Sequence, residues 1–328
     1  MNQQSDMRKS DHLDLAKEAQ SPLSSVDSRF YYEPLFFSHP GQQQKASLNF
    51  LGMNFDFPFW ISSMTGGTKN AKNINSNLAR LCKEFNLGMG LGSCRPLLDS
   101  SERIDDFAVR KIIGDRPLYA NLGIAQVEQF IGENKTEKIH TMVKGLEATG
   151  LIIHINPLQE WFQPEGDRFN QSPLITLEKF LNNCPYPVIV KEVGQGLGPL
   201  SLAALMKLPL KAIEFGAFGG TNFSLLESKR ASVNENMKPF IQVGHTAEQM
   251  INFINSLPHG NMEFIISGGI KTVLDAHYFQ EKLQANSIVG MANNFLAPAM
   301  ENYDLLREYF MNLKDSYLTA KTLLMIKA

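Results

Sequence analysis

Cysteine is scarce: Cys82, Cys94 and Cys184 are the only three in 328 residues. Their number is odd and none stands in a CxxC pair, which argues against a disulfide framework and a zinc knuckle. A reducing, cytoplasmic setting with bystander thiols is the simpler expectation. Charge of one sign is missing as well, with 31 Lys and Arg against 33 Asp and Glu and a net charge of -2. Such a chain has no general attraction for nucleic acid or an anionic membrane, so an anionic ligand must be held by local cations. No apolar run approaches the roughly 20 residues of a spanning helix, and the polar first 20 residues contain no apolar core stretch. No G-x-G-x-x-G of the dinucleotide-binding kind follows a strand, no linker divides the chain, and no repeat is evident.

What is present is a rhythm. Short apolar runs bounded by glycine or polar residues alternate with longer amphipathic stretches, the pattern of strand and helix units around a parallel sheet. Strands are expected at 59–62, 87–91, 117–122, 150–155, 187–193, 211–215, 264–267 and 287–290, with helices such as 71–85 and 246–256 between them. Eight units are what a (β/α)8 TIM barrel requires. A ninth run, 239–243, is read as part of a long connection, 30–54 as a cap on the barrel's closed end or edge, and 303–326 as a closing helix. The 43% of hydrophobic residues suffices for one large α/β domain over 1–328, of which 1–28 would be an arm.

In a barrel of this type the loops after the strands build the active face, and the unusual residues fall there. In chain order they are Met64-Thr65-Gly66-Gly67, Gly92-Ser93-Cys94-Arg95, Asn121-Leu122-Gly123 and the segment from His154 to Glu160. Lys191-Glu192-Val193-Gly194, Gly219-Gly220-Thr221-Asn222-Phe223, Ser267-Gly268-Gly269-Ile270 and Gly290-Met291-Ala292 complete the rim. Glycines after the seventh and eighth strands let backbone N–H groups approach a phosphate, the commonest phosphate site of this fold. Lys191 stands in a strand otherwise made of Val and Ile, where an ammonium needs compensating acceptors. It is either a Schiff-base lysine or a cation beside an electron-rich ring. The small residues of Met64-Thr65-Gly66-Gly67 suit a flat ring and favour a flavin. Glu165, Asp167 and Arg168 read equally well as a salt-bridged loop. Asp11 is expected to cap a helix in the arm, and His245 and Asp275 to be structural.

With these motifs the chain resembles the type 2 isopentenyl-diphosphate isomerases, FMN-dependent barrel enzymes that interconvert isopentenyl and dimethylallyl diphosphate. The resemblance runs from Arg8-Lys9-Ser10-Asp11-His12 to about Leu296. It rests on Met64-Thr65-Gly66-Gly67, His154-x-Asn156-x-x-Gln159-Glu160, Pro164-Glu165-Gly166-Asp167-Arg168, Lys191-Glu192-Val193-Gly194 and Gly219-Gly220-Thr221-Asn222-Phe223. It implies that Met64, Thr65, Gly66, Ser93, Asn121, Lys191, Thr221, Gly268, Gly269, Ile270, Gly290 and Met291 lie against FMN. Arg8, Lys9, His12, Ser93, Arg95, His154, Asn156 and Gln159 would bind substrate, and Glu160 would hold Mg²⁺. Gln159, Lys191 and Glu227 would serve catalysis, with reduced FMN as the acid/base group and NADPH as reductant. A homo-oligomer, tetramer or octamer, is implied too.

The chain departs from that pattern in places. Ala217 and Phe218 stand where Gly and then Arg or Tyr are usual, Ser228 where Asn is, Val243 where Trp is, and the chain stops early, at Ala328. Two other classes compete. An FMN-dependent 2-hydroxy-acid oxidase would need a His base and an Arg after the sixth strand, where this chain offers Phe218 and Thr221. A non-catalytic flavin-binding protein would be expected to lose Gln159, Glu160 or the Arg8-Lys9 pair, all of which are present.

Overall fold

The structure is a computed structural model and describes residues 3–41, 43–63, 70–230 and 234–327. Eight parallel strands close into a barrel in chain order. They are β1 (Phe59–Ile61), β2 (Gly88–Gly90), β3 (Leu118–Gly123), β4 (Gly150–Ile155), β5 (Val188–Glu192), β6 (Ala212–Glu214), β7 (Glu263–Ser267) and β8 (Ser287–Met291). Each pairs with the next, and β8 closes on β1 through Gly290 and Trp60. All eight expected strands are present, so the fold is the (β/α)8 barrel.

Helices follow where the apolar spacing changes from a run to a stripe. In Ala71–Phe85 the buried positions are Ala71, Ile74, Asn75, Leu78, Ala79, Leu81 and Cys82, a spacing of three and four that turns one face to the barrel. The helix stops at Asn86, whose left-handed φ of 53° is one that Asn tolerates. The run 239–243 forms the end of a 3-10 helix, Glu235–Gln242, and its C-cap Val243, so it belongs to a connection as expected.

The N-terminal end of the barrel is plugged. Strands Leu48–Phe50 and Met53–Phe55 form an antiparallel hairpin whose Phe50 and Phe55 meet edge to face, 6.1 Å between centroids. These rings pack on Trp60, Tyr119, Ile152, Ile189, Ala212, Ile265 and Ile288, a layer of inward-pointing side chains from successive strands. Glu263 ties the plug down. Its carboxylate accepts the Leu51 N–H at 3.1 Å and Asn286 Nδ2 at 2.7 Å, and pairs with Lys211 at 3.0 Å.

Two expectations need correction, one needs refinement and one holds. The closing helix ends at Leu323, not at 326, because Leu324–Ile326 is extended and pairs antiparallel with Phe30–Tyr32. That pairing takes the start of the 30–54 segment away from the plug. Asp11 lies inside the helix Gln3–Leu15, so it does not cap it. Asp275 is structural: it completes a capping box with Thr272 and pairs with Arg29 at 2.7 Å.

Candidate active site

Side chains alternate between the inside and outside of a barrel wall. Two residues beyond the apolar layer, the inward positions are therefore Ser62, Gly90, Asn121, His154, Lys191, Glu214, Ser267 and Gly290. The barrel interior changes from hydrocarbon to polar groups within one step of the strand repeat. Register lines up the charged part of this layer, with Gly123 opposite His154, His154 opposite Lys191, and Lys191 opposite Glu214.

The polar layer floors a cavity. Lys191, Glu214, Ser62, Ser63 and Ser267 lie below, and Gly216, Gly220, Thr221, Gly268, Gly269, Ile270, Gly290 and Met291 form much of the wall. Two glycines show why the rim is built of backbone. Gly268 has φ +85°, and a Cβ there would lie 2.1 Å from the Ala217 carbonyl oxygen. Gly216 has φ +52°, and its Cβ would lie 2.0 Å from the Glu192 carbonyl oxygen. Loops after β5, β6 and β7 thus stack backbone on backbone at the rim of the cavity. The helix Asn293–Glu301 opens onto it with no side-chain N-cap, so its first N–H groups are available to an anion.

Lys191 is 8% exposed and donates from Nζ to the Glu192 carbonyl at 3.0 Å. Glu192 points outward. One of its carboxylate oxygens accepts the N–H groups of Gly194, Gln195 and Gly196 at 2.7, 2.6 and 2.8 Å, which fixes the loop that follows the lysine. Burial still pushes Glu192 above the ordinary carboxylate range, against the pull of those donors.

Next to this cavity runs a second chain of contacts. Asn121 donates from Nδ2 to the Leu91 carbonyl, which turns its Oδ1 toward His154 Nδ1 at 2.8 Å. On this assignment Nδ1 carries the proton and Nε2 a lone pair. Burial and the Lys191 ammonium push His154 down to about 3, so the imidazole is neutral at neutral pH. Asn156 is 2% exposed and donates from Nδ2 to Gln159 Oε1 at 3.1 Å and to Glu160 Oε1 at 2.8 Å, while its Oδ1 has no partner among the described residues. The other Glu160 oxygen accepts the Asp167 N–H at 2.7 Å.

The loop reading of Glu165, Asp167 and Arg168 fits their contacts. Asp167 pairs with Arg95 at 3.0 Å and accepts from Gln126, Arg168 binds the Glu160 carbonyl, and Glu165 pairs with Arg230. Glu227 is buried and accepts from Gln163 at 2.8 Å and Arg230 at 2.7 Å, which joins the helices Pro157–Phe162 and Phe223–Arg230. Ser93 sits beside Arg95, whose N–H reaches its hydroxyl at 3.5 Å, and Cys94 N–H binds the Asn121 carbonyl. Arg8, Lys9 and His12 are exposed on the helix Gln3–Leu15, and among the described residues no hydrogen bond or ion pair joins them to His154 or Asn156. Met64, Thr65 and Gly66 lie outside the described residues. Cys82 and Cys94 are buried and free, and burial pushes Cys94 up to about 12, consistent with bystander thiols.

A 312-residue stretch, 92% of this chain, is 34% identical to the isopentenyl-diphosphate delta-isomerase of Rickettsia akari and covers 88% of that protein. The protein of that name from a Nostoc species is 32% identical over 315 residues, 93% of this chain and 87% of that one. The chain belongs to the type 2 isopentenyl-diphosphate delta-isomerase family. No protein-family model matches it. Among solved structures, a flavocytochrome b2 variant with pyruvate bound has a TM-score of 0.61 at 14% identity, covering 90% of this chain and 72% of that one. A mandelate oxidase variant with benzaldehyde has a TM-score of 0.59 at 12% identity, covering 91% and 86%. At such identity these likenesses bear on the barrel alone.

Of the departures, Ala217 lines the cavity wall, while Phe218, Ser228 and Val243 are not among its lining residues. Ala217 is fully buried and its backbone packs on Gly268. Phe218 lies over Gly244 and bridges to Thr246, Ser228 binds the Leu225 carbonyl, and Val243 is exposed. Sequence reasoning passed over Ser62, Ser63, Asn293 and Glu214. The last had the same signal as Lys191, a charged residue inside an apolar strand.

Proposed function

We propose that the chain interconverts isopentenyl and dimethylallyl diphosphate for isoprenoid biosynthesis, with reduced FMN as the acid/base group, Mg²⁺ at the diphosphate and NADPH as reductant. The observation that carries this reading is the buried Lys191 in the floor of a cavity rimmed by glycine backbone. The residues present suit FMN. Flat rings need backbone donors and small neighbours, which the rim supplies, and the phosphate suits the Gly268-Gly269 loop and the uncapped helix at Asn293. The buried hydroxyls of Ser62 and Ser63, without partners among the described residues, are ready to meet ring atoms.

When bound, reduced FMN supplies a nitrogen that can give and take a proton at the substrate's alkene. Lys191 holds negative charge near it, a cation fixed in place before reaction. Asn156 orients Gln159 toward the alkene and Glu160 toward the diphosphate through two hydrogen bonds from one amide. Glu160 would hold Mg²⁺ with one carboxylate beside the substrate's phosphate oxygens, a common arrangement for this hard ion. Glu227 acts as a positioning residue through Gln163. His154 offers a lone pair at Nε2, so a diphosphate oxygen there is met only after the imidazole gains a second proton. Arg8, Lys9 and Arg95 would add cations for the diphosphate, His12 an imidazole and Ser93 a hydroxyl. A homo-oligomer, tetramer or octamer, and a cytoplasmic setting complete the proposal. Among the described residues no helix is long and apolar enough to cross a membrane.

The test is an anaerobic assay with isopentenyl diphosphate, FMN, Mg²⁺ and NADPH or dithionite, following dimethylallyl diphosphate. Product that requires reduced flavin and disappears in Glu160→Gln is expected. Tight FMN binding with no product under any reductant would overturn the reading.

A further inference from the structure

Glu214 has no task in the chemistry above. Its side chain is fully buried in the cavity floor, and neither carboxylate oxygen has a hydrogen-bond partner among the described residues. The groups around it are few. Lys191 stands opposite across the β5–β6 register, with His154 one strand further, and β7 places Ile265 opposite. Ser62 and Ser267 bring hydroxyls from the ends of β1 and β7; they favour the charged form but neither completes a hydrogen bond to it. Glu192 faces away, its carboxylate committed to the loop N–H groups. Burial pushes Glu214 above the ordinary carboxylate range, and the Lys191 ammonium is the chief pull in the other direction. The Lys191 Nζ in turn donates to a carbonyl rather than to this carboxylate. With His154 neutral, the described residues of this floor hold one cation, and one cation can offset one anion.

We propose that Glu214 is the proton-exchanging counter-charge of the cavity, ionised against Lys191 when no other anion is near and protonated when an anionic ring sits beside Lys191. The inference rests on the FMN reading of this cavity and deepens it. The proton is given up by the buffer acid through solvent at the cavity mouth, leaving the buffer's conjugate base in solution, and forms one O–H bond on a Glu214 oxygen; no electrons move at the residue. Once protonated, Glu214 donates to the Ser62 hydroxyl, which has no other partner among the described residues. Without that proton two anions would share one ammonium in a water-poor site, and like charges so placed do not both persist.

The experiment is anaerobic calorimetry of the whole protein with oxidised and with reduced FMN, in two buffers of different ionisation enthalpy. It is run at a pH where free reduced FMN is already the anion. One more proton taken up with reduced than with oxidised FMN is expected for the wild type, and no difference for Glu214→Gln. Equal uptake for the two forms in the wild type would overturn the inference while leaving FMN binding intact. An extra proton that persists in Glu214→Gln would assign it to another group, His154 first, and overturn it too. Failure of either form of FMN to bind would overturn the cavity reading itself. Should the variant not fold, equal uptake in the wild type still overturns the inference, and a carboxylic-acid infrared band in the wild type is the second readout: its appearance on reduction supports the inference and its absence overturns it.

Discussion

Two buried glutamates sit near opposite ends of the barrel. Glu263, at the plugged end, has a backbone N–H, an amide and a lysine on its carboxylate. Glu214, at the open end, has no hydrogen-bond partner for either oxygen among the described residues. The first arrangement satisfies every charge within the chain and fastens a hairpin. The second leaves polar groups unmatched, and natural structures retain such groups mainly where something else completes them. The comparison separates a stability end from a chemistry end, in line with the division of labour known for this fold.

That separation is open to attack at both ends. The largest effect is expected at the plug: Phe50→Ala removes a fully buried ring and should cost about 3–5 kcal/mol of unfolding free energy. Denaturant titration measures it, and FMN affinity of the folded fraction should not change. At the other end, Lys191→Met should lower kcat about 10²–10³-fold, the scale of losing one preorganised charge, with the melting temperature lowered, because Glu214 stays buried without its cation. Steady-state assay and calorimetry on one sample give both numbers. Gly268→Ala should cost about 1–3 kcal/mol of stability, because its φ and the Ala217 carbonyl forbid a Cβ, and should weaken FMN binding by titration.

The smallest effect concerns His154. Unliganded, it is held down to about 3, and a diphosphate oxygen at Nε2 raises it. The proton is then bound only in the complex from about 3 up to that higher value. Affinity should fall by up to about tenfold per pH unit over this window. Titrating inorganic diphosphate into wild type and His154→Gln removes the ligand's own protonation, and the ratio of affinities should fall as pH rises. A flat ratio would contradict an unliganded ring with its proton on Nδ1 and a bare Nε2.

The strands were legible because each is a short apolar run with its polar residues at the C-terminal end, as Gly150–Ile155 shows. His154, Asn156, Gln159 and Glu160 were legible together because one strand end and one turn of helix carry them all. Glu214 was not, since a single charged letter in an apolar strand does not say whether its neighbours will satisfy it. Glu263 carries a similar letter and is satisfied. The pairing of Phe30–Tyr32 with Leu324–Ile326 depends on contacts nearly the whole chain apart, which periodicity does not encode. Asp11 misled because an acidic residue near a helix start resembles a cap only if the start is known.

The most direct test is a crystal structure of the chain with FMN. The ring is expected over Ser62, Lys191 and Glu214, with the phosphate at Gly268, Gly269 and Asn293. A larger, apolar groove lies elsewhere, lined by Leu174, Leu177, Leu200 and Leu205 from the helices Pro173–Leu181 and Pro199–Leu205, and it lacks converging cations. FMN bound in that groove, with Lys191 out of reach, would contradict the central claim.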